Sequence, residues 1–258
     1  MTGMELIFLG TGGGRINLLK QFRKTGGFRI NSDSANIHVD PGPGALTQSL
    51  KHKQNPLKID AVIVTHDHID HCNDANLMIE GMSQHALKKR GILISTKGAI
   101  DGNSEGDRAI NKYHQSKVSE VYKAKEGEKK KFKTKNGEFE IEILKVKHDA
   151  EEGFGFKLFI DGKVIGYTSD TEPYEGIEED YSGCDFLIIN CLKPAADKYK
   201  GHMTSNDVAK LIKKAKPKLA VITHLGMGFI RKGANKEAKQ ITKKSGVECL
   251  AAYDGLKL

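Results

Sequence analysis

Thr65-His66-Asp67-His68-Ile69-Asp70-His71 follows Ala61-Val62-Ile63-Val64, a continuous apolar run that reads as a buried strand bounded by polar residues. The helical spacing of Ala75, Met78 and Met82 begins near His71 and predicts a helix over about 71–89. Three imidazoles and two carboxylates are therefore packed into the turn between a strand and a helix. Neutral imidazole and carboxylate are the ligands that suit zinc and its first-row neighbours. His66 and His68, two apart on an extended segment, project to one side and can share an ion. Asp70 and His71 fall in the next turn, point elsewhere and can hold a second ion. A polar turn merely rich in histidine does not explain four potential ligands in six positions at the end of a core strand.

The H-x-H-x-D-H string resembles the signature of the metallo-β-lactamase superfamily, and the rest of the chain resembles that family from end to end. Asp40, in Val39-Asp40-Pro41-Gly42, looks like the first motif, His148 the third, Asp170 (Tyr167-Thr168-Ser169-Asp170-Thr171) the fourth and His224 (Val221-Ile222-Thr223-His224) the fifth. Ala252-Tyr253-Asp254-Gly255 is similar to the family's last strand. The resemblance implies an α+β fold, a four-layer αββα sandwich, over residues 1–258 as one domain. It also implies two divalent ions, zinc before manganese: His66, His68 and His148 hold one, Asp70, His71 and His224 the other, and Asp170 bridges them with a water. Asp40 then orients the metal loop without ligating. Asp70 doubles as proton acceptor, and Asp67, at the motif's non-ligand position, makes a structural hydrogen bond.

Departures narrow the branch. Asp170 stands where some lactamases carry a ligand Cys, and His68 stands where diiron oxygen reductases carry a carboxylate. The 34 residues after His224 are too few for the helical domain of glyoxalase II. Leu9-Gly10-Thr11-Gly12-Gly13-Gly14 and Gly201-His202-Met203-Thr204 resemble the ribonuclease Z branch and its phosphodiesterase relatives. There the resemblance gives His202 the part of general acid or charge stabiliser, against the plainer reading of a helix-start histidine. Gly12 to Gly14 make either a tight connection or a phosphate cradle, with no clear helix after them. Only 21 residues separate His148 from Asp170, nearly all used by a hairpin around Asp161-Gly162, so the protruding arm of transfer-RNA-processing members is absent. The reading is a metal-dependent phosphodiesterase using a bridging hydroxide, with an armless ribonuclease or a non-catalytic binding protein as alternatives.

A chain of 258 residues with 38% hydrophobic content can bury a sizeable core. No run is long enough to span a bilayer, and the start reads as a strand, not a signal peptide. Cys72, Cys184, Cys191 and Cys249 are scattered, which fits a reducing, cytoplasmic setting. Cys191 is expected to be a buried, unligated thiol at the pocket wall. The formal charge of +8 favours an anionic substrate and is compatible with nucleic acid; a homodimer is allowed. Seven lysines crowd Lys123 to Lys135, read as the turn of a surface hairpin, and five more lie from Lys210 to Lys218. They are either solvated faces or a basic path for a polyanion. With no Trp, a platform for stacking single-stranded bases is not evident.

Overall fold

Strand-forming runs in the two halves of the chain build two sheets. The computed structural model describes residues 3–195 and 198–258. The first sheet runs in chain order: β1 (Glu5–Phe8), β2 (Phe28–Asn31), β3 (Asn36–Val39), β4 (Ala61–Val64), β5 (Ile92–Ser95) and β6 (Glu120–Lys123). β1 to β3 pair antiparallel and β3 to β6 parallel. The second sheet is built from β7 (Lys129–Lys133), β8 (Glu138–Leu144), β9 (Gly155–Ile160), β10 (Lys163–Tyr167), β11 (Phe186–Lys193), β12 (Met203–Thr204), β13 (Leu219–Thr223) and β14 (Cys249–Ala251). Its order is β14-β13-β11-β10-β9-β8-β7, with β12 added beside β11. β10, β11, β13 and β14 are parallel, as is β12 to β11, while β7 to β10 pair antiparallel.

The helices are α1 (Arg15–Lys20), α2 (Ala45–Lys51), α3 (Ile69–Cys72), α4 (Ala75–Met82), α5 (Lys97–Asp101), α6 (Lys112–Ser116), α7 (Ile177–Asp180), α8 (Ser205–Ala215), α9 (Met227–Lys232) and α10 (Ala234–Ser245). Strand alternation sorts the core into three layers. Phe8, Ile37 and Ile63 of the first sheet meet Phe156, Tyr167 and Ile188 of the second between the sheets. Val62, Val64 and Leu93 face the other way, against Met78, Ile79 and Met82 of α4. Leu187, Ile189 and Ile222 likewise face Val208, Ile212 and Ile241 of α8 and α10. The result is the four-layer αββα sandwich. Both faces of the central strands are covered, which is why β4 is continuously apolar and β11 is apolar but for Asn190 and its terminal Lys193.

Some elements differ from expectation. The single helix over 71–89 is two: Asn73-Asp74 interrupts it, with Asp74 N donating to Pro41 O at 2.8 Å. It stops at Met82 because Gln84, His85 and Ala86 all take left-handed backbone, φ 54 to 65°. The lysine-rich segment is not one hairpin turn, since β6 and β7 belong to different sheets and the β7–β8 turn lies after Lys133. A six-residue helix, α1, does follow Gly14. The tight Asp161-Gly162 hairpin is present, with φ 47 and 70°. The chain's last residues run beside β1: Leu6 N donates to Leu258 O at 2.9 Å and Leu258 N to Leu6 O at 3.0 Å.

Candidate metal centre

The carboxyl ends of β3, β4, β10 and β13 meet at one edge of the sandwich, where parallel strands leave an open crevice. They deliver Asp40, His66 to His71, Asp170 and His224, and the link from β8 to β9 adds His148. Three of these ends are bent sharply. Asp40 (φ 49°), Ser169 (φ 52°) and His224 (φ 54°) are non-glycine residues in the left-handed region. Each bend costs about 1–3 kcal/mol, which the surrounding structure must offset. Gly13 is required at its position because a Cβ there would run into the His224 ring. Gly12 packs equally tightly against Asn17. The glycine loop is thus a close-packed connection beside His224.

Asp170 stands at the middle. Its Oδ1 accepts from Asn190 Nδ2 at 2.7 Å. Its Oδ2 lies 3.3 Å from His71 Nε2, 3.4 Å from His224 Nε2, and 3.8 Å from each of His66 Nε2, His148 Nε2 and His202 Nδ1. Two donor sets that could each hold an ion flank it: His66, His68 and His148, and Asp70, His71 and His224. His148 Nε2 is 3.1 Å from His68 Nδ1, and His224 Nε2 is 3.3 Å from Asp70 Oδ2.

Neighbouring groups fix which ring nitrogen faces the centre. His71 Nδ1 donates to Asp40 Oδ2 at 2.9 Å and His148 Nδ1 to Gly201 O at 2.8 Å, leaving each Nε2 inward. Asp40 also accepts from Thr65 N (2.8 Å), Thr65 Oγ1 (2.9 Å) and the Tyr167 hydroxyl (2.8 Å). Its buried carboxylate thereby ties the metal-loop turn to the opposite sheet. His66 Nε2 is buried, points into the cluster and has no hydrogen-bond partner. An orphaned ring nitrogen among imidazoles and carboxylates is the donor chemistry a borderline divalent cation satisfies, so the residues fit a metal pair.

The electrostatics agree. Burial and the neighbouring imidazoles, His71 foremost, hold His66 well below the ordinary histidine range. Burial alone would also keep His71 neutral, but Asp170, Asp70 and Asp40 outweigh it and raise its basicity. Burial works against ionising Asp170, yet His224, His71 and His202 overcome it and hold the carboxyl well below the usual range. His202 is pushed down to about 4, chiefly by burial.

A cleft of about 480 Å³ opens over the cluster, and Asp70, His202 and His224 face it. His202 is held there by the β12 pairing and by α8, whose Thr204 and Asp207 form a reciprocal N-terminal cap. Two expectations change. Among the described residues the Asp67 carboxylate has no hydrogen-bond partner and lines the cleft instead; the turn is closed by Cys72 Sγ donating to Asp67 O at 3.1 Å. Cys191 is a buried free thiol, but it packs in the layer under α8 because its side chain alternates away from the cleft. Tyr167, Asn190 and Asp149 (Oδ1 3.1 Å from His148 Nε2) went unassigned in the sequence reading. Asn190, a lone amide after two isoleucines in a buried run, carried a readable signal.

Residues 35–225 match the family described as the beta-lactamase superfamily domain. The chain belongs to that superfamily. It is 36% identical over 257 residues to an uncharacterized protein of Methanocaldococcus jannaschii, covering 99% of this chain and 94% of that one. It is also 24% identical to ribonuclease Z of Sulfolobus acidocaldarius, covering 93% and 94%. Among solved structures, the metallo-beta-lactamase fold protein YhfI of Bacillus subtilis superposes with a TM-score of 0.77 at 20% identity, covering 99% and 98%. A diphosphatase of the PhnP family gives 0.70 at 18%, covering 99% and 97%. The fold is that of a metallo-hydrolase, and the His/Asp groups could hold its divalent ions.

Proposed function

We propose that residues 1–258 act as one hydrolase domain that cleaves phosphodiesters with two divalent ions, zinc or, second, manganese. The observation that carries this reading is the pair of three-donor sets on either side of Asp170 Oδ2, with His202 on the cleft wall beside them. His66, His68 and His148 would hold one ion and Asp70, His71 and His224 the other. Such ions supply Lewis acidity and a water acidified towards neutral pH. Asp40 and Gly201 O keep the histidine rings turned inward. Asp70, at the cleft, is the carboxylate placed to accept a proton. His202 is neutral at pH 7, so it donates one N–H to negative charge developing on the phosphoryl group.

A phosphorus ester is favoured by the ribonuclease Z relative, by the diphosphatase of like fold and by the cations around the cleft. The ribonuclease relative also supports RNA as the substrate, although β9 and β10 join through two residues and leave no arm between His148 and Asp170. Protein reconstituted with zinc or manganese should carry close to two ions by elemental analysis. It should hydrolyse bis-p-nitrophenyl phosphate but neither a thioester nor a β-lactam. No bound metal would overturn the site assignment, and metal without turnover on any of the three would favour a binding protein.

A further inference from the structure

The lysines of this surface fall into two groups. Several of those in the crowded segments are matched to carboxylates: Lys129 to Glu142, Lys130 to Glu120, Lys131 to Glu138, Lys214 to Glu178 and Lys218 to Asp185, all within 3.3 Å. With Lys123 on Asp101, half of the twelve lysines in these stretches are matched to carboxylates, which weakens them as tracks for a polyanion. In contrast, Lys193, Arg231 and Lys232 have no acidic partner among the described residues. All three line one recess of about 330 Å³ together with Ile16, Met227 and Gly228.

That recess is a branch of the catalytic cleft, because Ile16, Lys193, Met227 and Gly228 line both. It exists because α9 packs against the end of β11. A Cβ at Gly226 would meet Leu192 O at 2.5 Å, and one at Gly228 would meet the Pro194 ring at 2.7 Å. The two glycines let the helix approach closely enough to set its basic last turn beside Lys193. From the metal-ligand end outward, the surface thus runs from His and Asp donors, across apolar Ile16 and Met227, to three cations without an acidic partner among the described residues.

We propose that Lys193, Arg231 and Lys232 form a second anion subsite, which takes a phosphate one nucleoside away from the phosphodiester under attack. The intervening sugar and base lie over Ile16 and Met227. The substrate class is then a nucleotide with two phosphates, such as an oligonucleotide end, rather than a simple diester. This rests on the phosphodiester reading and sharpens it. Unpaired guanidinium and ammonium groups bind phosphate oxygens through charge-assisted hydrogen bonds, strongest where neighbouring apolar walls lower the local dielectric.

The test compares the p-nitrophenyl esters of thymidine 5′-phosphate and of thymidine 3′,5′-bisphosphate, which differ by one remote phosphate. In the zinc-loaded protein the bisphosphate ester should have a KM about tenfold lower, the scale of one or two such contacts. In Arg231→Ala/Lys232→Ala that preference should fall below about twofold, with kcat on the monophosphate ester unchanged. Both residues are exposed, so the variant should fold. No preference in the wild type, or a preference that survives in the variant, overturns the subsite while leaving the phosphodiester reading intact. If neither ester is cleaved, the phosphodiester reading fails on its own, and calorimetric titration of thymidine 3′,5′-bisphosphate against thymidine 5′-phosphate decides the subsite. A wild-type advantage for the bisphosphate that the variant loses supports it; equal binding of the two ligands, or an advantage the variant keeps, refutes it. A change in melting temperature without a change in selectivity would reduce the two cations to complements of the helix dipole.

Discussion

Asp170 is held through one oxygen by Asn190 and offers the other to five imidazoles, so its loss should be felt by both donor sets at once. Asp170→Ala should retain less metal than any single His→Ala variant, read by elemental analysis after gel filtration. His202 is of another kind. His202→Ala should keep both ions while turnover falls by roughly 10²–10³, the usual effect of one charge-stabilising donor. Because burial pushes this imidazole to about 4, it is not a proton source at neutral pH. The loss should therefore be equal for p-nitrophenolate and for poorer leaving groups; a loss confined to poor ones would restore the general-acid role. His38 gives a stability prediction. Burial, then the nearby Arg29 charge, lower it to about 3 against the hydrogen bond to Gly26 O. The folded protein thus keeps His38 neutral where the unfolded chain takes up a proton. Its contribution is complete above pH 6.5 and is lost as pH falls towards 3. In urea unfolding of chelated protein from pH 6.5 to 4.5, His38→Gln should flatten the decline by up to about 1.4 kcal/mol per pH unit.

At the scale of elements, α8 and β12 join stability to chemistry. Thr204 caps α8 and follows His202 by two residues, so Thr204→Ala should cost about 1 kcal/mol in urea unfolding and also lower kcat. Thr204→Ser should restore both, and a variant that loses stability with full kcat would detach the cap from His202. This cap and the apolar face of α8 were readable in Thr204-Ser205-Asn206-Asp207 and in Val208, Leu211 and Ile212. β4, β11 and β13 were readable because strands covered on both faces carry runs of apolar residues, over 61–64, 186–189 and 219–222. β2 was not, since Arg29 is nearly fully buried within a four-residue strand and breaks any pattern. β7 was not either: as an edge strand it carries lysines that hinder pairing with other chains, and only Phe132 betrays its buried face. At the site, the donors stood out as His and Asp at strand ends. Tyr167, whose hydroxyl donates to Asp40, looked like an ordinary strand residue because a buried hydrogen bond leaves no local trace, whereas Asn190 stood out as a lone amide in an apolar run.

Over the whole molecule, the candidate centre is a joint between the two sheets. His66 to His71 leave the first, while His148, Asp170 and His224 leave the second, so ions shared among them would tie the halves together. Chelation should lower the melting temperature by roughly 5–15 °C, from about 4 kcal/mol of linkage in a chain of this size, and restored zinc should reverse it. An unchanged melting temperature would show that the sheets carry their packing without the centre. The other long-range joint is made by the end of the chain. Asp254 accepts from Thr11 N, Thr11 Oγ1 and Lys24 N at 2.8 to 3.0 Å, and Leu256 and Leu258 pair with β1. Thr11 N and Asp254 are 243 positions apart, and Thr11 opens the glycine loop that packs on His224. The loop is first tied locally, by Gly12 N donating to Lys24 O at 2.9 Å, then by Leu225 N donating to Thr11 O at 2.8 Å, and it gains the Asp254 bonds only after some 230 further residues have been made. A chain shortened before Asp254 would thus carry every metal-loop histidine and His224 while the glycine loop that packs on His224 lacks its most distant tie.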